Sequence, residues 1–226
     1  MKHYLTAVLL IISVFIWTTA TASQPAGSAY LDGGNSKTAL ILAHGRAKHP
    51  TWKVVDPLRK GVNKDLGYHT LSLQMPNEDK KWKKYADDFP EAYEMIKDGI
   101  RYLKEEKGVT TIFLMGHSMG SRMASAFVSE NPEQILSGLI IAGCRNNGGY
   151  PLSCEENIQN VDIPVLDIWG GDNSKDSDAA SDREGLASAS YEQKEVPGAN
   201  HKFEGYESEF VSSVVIWLKQ RNENLL

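Results

Sequence analysis

The chain is predicted to be an α/β protein: a single domain with a mostly parallel sheet of about six strands and helices on both faces. Three observations predict it. Short apolar runs alternate along the chain with segments whose apolar residues recur every three or four positions. One such run, Thr110 to Met115 (TTIFLM), leads through Gly-x-Ser-x-Gly into Ser121 to Glu130 (SRMASAFVSE), a strand, tight turn and helix in succession. The 226 residues, 41% hydrophobic and 23% charged, can bury a sizeable core and contain no linker, repeat or low-complexity stretch.

Taken in order, Ala39 to Ala43 reads as the first strand, Trp52 to Lys64 as a helix and Tyr68 to Leu73 as the second strand. Residues Met75 to Asp88 (MPNEDKKWKKYADD) read as a charged loop with Trp82, Tyr85 and four lysines. Its plain reading is a solvated loop. The sharper one is a flap whose Trp82 touches an acyl group and whose lysines attract anionic substrates or a membrane surface. From Phe89 to Lys107, the apolar stripe Phe89, Tyr93, Ile96, Ile100 and Leu103 has the spacing of one helical face and belongs to the core; Gly108 stops that helix. Gly138 to Ala142, Pro164 to Trp169 and Tyr191 to Val196 read as further strands. A C-terminal helix from about Tyr206 to Arg221 gathers Phe210, Val214, Trp217 and Leu218 on one side.

The N-terminus reads as an export signal over residues 1–22. Lys2 and His3 precede an apolar run from about Leu5 to Trp17, and Ala20-Thr21-Ala22 is an A-x-A cleavage pattern, so the mature chain is expected to start at Ser23 without a stable membrane span. No cysteine follows the run, which argues against lipid anchoring. Export implies a periplasmic or extracellular, oxidising compartment, and there the only two cysteines, Cys144 and Cys154, are expected to form a disulfide across RNNGGYPLS. Two cysteines do not make a zinc site, and the acidic stretch Asp172 to Asp182 lacks EF-hand spacing, so no metal is expected. The formal charge of −5, about −6 without Lys2, argues against nucleic acid as a partner.

Residues 116–120 read Gly-His-Ser-Met-Gly, the nucleophile-elbow pattern. Gly116 and Gly120 let strand and helix approach closely while Ser118 adopts a strained conformation and projects its hydroxyl. A serine hydroxyl near neutral pH needs an imidazole to take its proton, and the imidazole needs a carboxylate on its other nitrogen. His201, in Pro197-Gly198-Ala199-Asn200-His201 after the last strand, is the candidate base. Asp172, after Pro164 to Trp169 and Gly170-Gly171, is the first choice for the acid, with Asp176 and Asp178 of the same segment as fallbacks. The backbone N–H of Met119, at the helix start, and that of Gly45 or Arg46, after the first strand, are the expected oxyanion donors. His44 and His117 are expected to shape the structure, and His49 and His69 have no evident partner.

The serine, acid, histidine order and the His44-Gly45 opening resemble the α/β-hydrolase superfamily, over a stretch from about Thr38 to the C-terminal helix. More narrowly, LAHGRAKHPTWKVVDPLRKGVN, HTLSLQMP, GHSMGSRMA, PVLDIWG and PGANHKFEGYE resemble a group of small exported bacterial proteins of that type. The resemblance implies an α/β-hydrolase fold and an acyl-enzyme mechanism carried by Ser118, His201 and Asp172 or a neighbour. Two departures stand out. The third position after Gly170, where many relatives carry the acid, is Asn173, and the segment before Thr38 is too short and polar for the usual N-terminal hairpin, so a reduced sheet is expected. Only about twenty residues separate Gly143 from the next strand, which leaves no room for a cap domain.

The expected function is therefore an exported, cofactor-independent serine hydrolase acting on a small-molecule carboxylic ester or thioester. The alternatives are an amidase or peptidase using the same triad, or a noncatalytic binding protein on the same fold.

Overall fold

A computed structural model describes residues 22–134, 136–186 and 190–224. The export signal expected over 1–22 lies, but for its last residue, outside them. In chain order the elements are β1 (Ala29–Leu31), β2 (Thr38–Ala43), α1 (Val55–Leu66), β3 (His69–Leu73), a 3-10 turn (Trp82–Asp88), α2 (Phe89–Lys107), β4 (Thr111–His117), α3 (Met119–Glu130), β5 (Gly138–Ala142), α4 (Cys154–Ile158), β6 (Val165–Gly170), α5 (Ser174–Asp182), β7 (Tyr191–Val196) and α6 (Glu207–Glu223). They build one seven-stranded sheet in the order β1-β3-β2-β4-β5-β6-β7, parallel throughout except for β1.

The sheet is buried on both faces, which is why β2, β3 and β5 are buried at every position, Thr70 and Ser72 of β3 included. Side chains still alternate between two cores. On β2, Ala39, Ile41 and Ala43 join Ile96, Ile100 and Leu103 of α2 and Met123 and Phe127 of α3. Leu40 and Leu42 face the opposite side, with Val55, Leu58 and Val62 of α1 and Phe210, Val214 and Trp217 of α6. Both helical stripes expected from the spacing are buried as expected. The first helix begins later than its apolar pattern suggests, at Val55, so Trp52 stands in the preceding turn.

The strand not expected is β1. It pairs antiparallel with β3, and buried His69 at the start of β3 accepts hydrogen bonds at Nδ1 from the Tyr30 hydroxyl (2.7 Å) and the Gly33 N–H (2.9 Å) and donates from Nε2 to the Ser36 carbonyl (3.2 Å). These bonds tie three residues of a short polar segment to the sheet edge, so a single antiparallel strand replaces a hairpin.

The charged loop before α2 is packed more firmly than a solvated loop. Tyr85 is fully buried; its hydroxyl donates to the Glu78 carbonyl and accepts from the Ala47 N–H at 3.2 Å, while Lys80 pairs with Asp88 at 2.6 Å. Across the sheet, a buried ion pair joins β6 to the end of α5. Arg183 meets Asp167 with Nη2 at 2.7 Å and Nε at 3.0 Å, the Tyr191 hydroxyl donates to the same carboxylate at 2.7 Å, and Arg183 Nη1 reaches the Cys144 carbonyl at 3.0 Å and Asn146 Oδ1 at 2.7 Å. Cys144 and Cys154 form a disulfide. Among the described residues no helix is long and apolar enough to cross a membrane, and no inserted cap interrupts the sheet.

Candidate active site

Parallel pairing brings the carboxyl ends of β2, β4, β5, β6 and β7 to one rim, and the loops after them carry the site. Ser118 sits between β4 and α3 at φ 56°, ψ −113°, a conformation a non-glycine residue adopts only under constraint. The constraint is visible. The Ser118 N–H donates to the Ala142 carbonyl at 2.9 Å, and the Ser121 hydroxyl donates to the Ser118 carbonyl at 2.6 Å. A Cβ on Gly116 would overlap the Gly120 backbone, and one on Gly120 would overlap the Ala43 carbonyl, so the close approach of β4, α3 and β2 requires both glycines.

The Ser118 hydroxyl lies 3.0 Å from His201 Nε2, and His201 Nδ1 lies 2.5 Å from Asp176 Oδ2. The geometry fits Nδ1–H donating to the carboxylate and Nε2 accepting from serine, the tautomer a general base requires. The acid position corrects the expectation from sequence. Asp172 is exposed, and its backbone N–H is spent on the Ala199 carbonyl at 2.9 Å; Asp178 is exposed as well. Asn173 caps α5 by accepting from the Asp176 N–H at 3.2 Å, so the helix begins at once and turns Asp176, in its first turn, inward to His201. The signal that distinguishes the two aspartates is this cap.

Asp176 is fully buried. Burial alone would raise its pKa, but the hydrogen bond from His201 and that from Arg145 Nε to Oδ1 (2.8 Å) outweigh it and hold the carboxyl below its ordinary range. Gly143, at the end of β5 with φ 56°, leaves the space that His201 and Asp176 occupy: a Cβ there would lie 2.9 Å from His201 Nδ1 and 3.3 Å from Asp176 Oδ2.

Two buried histidines support the site without joining the chain of proton partners. His117 Nε2 donates to the His201 backbone carbonyl at 2.9 Å, bracing that loop, and burial together with His201 pushes its pKa down to about 3. His44 donates from Nδ1 to the Gly45 carbonyl at 2.9 Å and accepts at Nε2 from the Met75 N–H at 3.0 Å, and burial lowers its pKa to about 4. Both are neutral near pH 7. They fix the loops after β2 and β7 as hydrogen-bonding wedges.

Gly45, Arg46 and Met119 line a cavity of about 840 Å³ together with Ser118 and His201. The Met119 N–H, in the first turn of α3, has no intrahelical acceptor, and Met119 lines the cavity beside Ser118. Gly45 is against the elbow, its Cβ position 3.3 Å from that of Ser118. Trp52 and Trp82 are also wall residues, as are Arg122 on α3 and Arg145 after β5, which the sequence had marked only as helix and loop.

A family model described as a protein of unknown function, DUF3530, matches residues 79–198, more than half of the 226. The chain belongs to the DUF3530 family. Its matched region runs from the charged loop through the elbow to the end of β7 and contains Ser118 and Asp176, while His201 follows directly after it. No match is found among curated proteins. Among solved structures, this DUF3530 chain is similar to Est1E from Butyrivibrio proteoclasticus (16% identity, 87% of this chain and 94% of that one, TM-score 0.69) and to dienelactone hydrolase from Anabaena variabilis (16%, 85% and 90%, 0.70). It is also similar to XC6422 from Xanthomonas campestris, described as an α/β serine hydrolase without a lid (16%, 89% and 96%, 0.63). The DUF3530 chain thus has the α/β-hydrolase fold, without a separate cap.

Proposed function

We propose that this protein is an exported serine hydrolase that cleaves a carboxylic ester or thioester through an acyl-enzyme on Ser118. The observation that carries the proposal is the unbroken chain Ser118 Oγ, His201 Nε2, His201 Nδ1, Asp176 Oδ2 at 3.0 and 2.5 Å, hung on a strained elbow. Solved structures of the same fold named as a dienelactone hydrolase, a monoacylglycerol lipase and an α/β serine hydrolase without a lid agree with such chemistry.

In this reading the Ser118 proton passes to His201 Nε2 as Oγ attacks the substrate carbonyl. The N–H groups of Met119 and of Gly45 or Arg46 hold the resulting oxyanion. Collapse breaks the bond to the alcohol or thiol, which leaves with the proton from His201; a water molecule then attacks the acyl group with His201 again as base. Asp176 stabilises the imidazolium in both halves and stays ionised because its folded pKa is lowered.

The test is intact-mass analysis of the mature chain after exposure to a fluorophosphonate. One adduct is expected on the wild type, none on Ser118→Ala, and slow labelling of His201→Ala. A folded wild type that takes up no adduct overturns the proposal.

A further inference from the structure

We propose that the substrate carries an anionic group, a carboxylate or phosphate, held beside Ser118 by Arg145 within the field of Arg122. This names a substrate class for the serine-hydrolase site proposed above and rests on that reading. Overall the chain is acidic, at −5, yet the cavity wall is basic: Arg46, Lys48, Arg122, Arg145 and Lys202 line it against a single carboxylate, Asp79. A concave site of one sign in a protein of the other sign concentrates oppositely charged ligands.

Arg122 is the decisive residue. It is 95% buried, and among the described residues no carboxylate pairs with it. Nη1 donates to the carbonyls of Asn147 and Leu152, both at 2.7 Å, Nη2 donates to Asn147 Oδ1 at 2.6 Å, and the guanidinium stacks over Trp82 at 5.2 Å. Neutral acceptors take three of its five N–H protons and leave its charge without a paired carboxylate. Burial lowers its pKa only to about 10, so it remains a cation at neutral pH. A buried unpaired cation is costly to keep, and an anion bound in the adjoining cavity would offset that cost.

Arg145 supplies the contact. Its Nε is bound to Asp176, which fixes the plane of the guanidinium, while Nη1 and Nη2 have no acceptor among the described residues and the side chain is 31% exposed on the cavity wall. Two parallel N–H donors on a planar fork match the two oxygens of a carboxylate or phosphate. The charged loop contributes Trp82 to the wall, but its Lys80 is engaged by Asp88. The basic character therefore comes from α3, the disulfide loop and the loops after β2 and β7, and not from the lysines of residues 75–88.

The test compares matched esters on the wild-type protein, each corrected for spontaneous hydrolysis. Mono-4-nitrophenyl adipate against 4-nitrophenyl hexanoate puts the anion on the acyl side; 3-(hexanoyloxy)benzoate against phenyl hexanoate puts it on the leaving-group side. In one of the two pairs the anionic ester should have a kcat/KM at least about tenfold higher, the scale of one hydrogen bond to a charged group. Half-molar NaCl should shrink that ratio, and Arg145→Gln should bring it near one whatever it does to the neutral ester. The ratio separates recognition from any effect through Asp176, and the salt titration needs no variant to fold. A protein that labels with fluorophosphonate but prefers neither anionic ester, or hydrolyses none of the four, overturns the inference and leaves the serine-hydrolase reading standing. Absence of labelling sinks that reading instead.

Discussion

Replacing Asp176 by Asn is the most discriminating single change, because the structure states what the amide must give up. Both carboxylate oxygens are used, Oδ2 by His201 Nδ1 at 2.5 Å and Oδ1 by Arg145 Nε at 2.8 Å, and the side chain is completely buried. An asparagine can present its oxygen to only one of these two donors. Facing the NH2 to His201 forces Nδ1 to accept and puts the proton on Nε2, where the imidazole cannot take the serine proton. Facing it to Arg145 sets two donors against each other and loosens the residue that holds the base in line. Either orientation forfeits at least one hydrogen bond to a charged group and the charge that stabilises the imidazolium, together about 3 to 6 kcal/mol. At about 1.4 kcal/mol per factor of ten, fluorophosphonate labelling and aryl-ester hydrolysis should slow by roughly two to four orders of magnitude. Asp172→Asn, at an exposed position, should remain within about twofold of wild type. The assay is the second-order labelling rate of both variants at pH 7.5, with circular dichroism as the check on folding. Equal slowing in the two variants, or an Asp176→Asn protein within tenfold of wild type, would refute the assignment of the acid.

Three further outcomes are expected. His44 and His117 have folded pKa values of about 4 and about 3 against an ordinary 6.5, so between those values the unfolded chain binds protons that the folded chain refuses; stability therefore rises with pH, is complete above about 7, and at pH 5 is lower by about 2 kcal/mol per histidine, as urea titrations at pH 7.5 and 5 would register. Gly143→Ala, at φ 56° with its new methyl 2.9 Å from His201 Nδ1, should lower labelling about a hundredfold and stability by roughly 1 to 3 kcal/mol; normal labelling would show that the acid and base do not need the gap. Reducing the Cys144–Cys154 bridge, which closes a loop of sequence separation 10, should lower unfolding free energy by about 2 to 3 kcal/mol, and an unchanged denaturation midpoint in dithiothreitol would contradict it.

Periodicity and one motif carried most of the fold. Phe89, Tyr93, Ile96, Ile100 and Leu103 are buried together because a single helical face touches the sheet, and nothing tertiary competes with that signal. The elbow at Ser118 was legible for a different reason: glycine at both flanks is a steric requirement, and it leaves a mark in the sequence. The acid was less legible. Asp172 and Asp176 differ only in their relation to the start of α5, which the Asn173 cap decides, and an asparagine in a polar segment reads as a turn former as readily as a cap. Strand β1 could not be read from its three residues, because what holds it is pairing with β3 and the contact of Tyr30 with His69, both supplied by a different strand. Arg122 and Arg145 were likewise silent: an arginine acquires meaning from what surrounds its guanidinium, and those neighbours come from α3, the disulfide loop and α5.

The Asp167–Arg183 pair carries an evolutionary consequence. One guanidinium, enclosed between β6, β7 and the start of the disulfide loop, donates to a carboxylate, a phenol oxygen, a carbonyl and an amide oxygen at once. Losing Arg183 would strand the negative charge of Asp167 in the interior, and losing Asp167 would strand the positive one. Neither site can drift alone. Within this lineage Asp167, Arg183 and Tyr191 should be inherited or abandoned as a set, and the position of α5, with Asp176 on its first turn, should travel with that set from one descendant to the next.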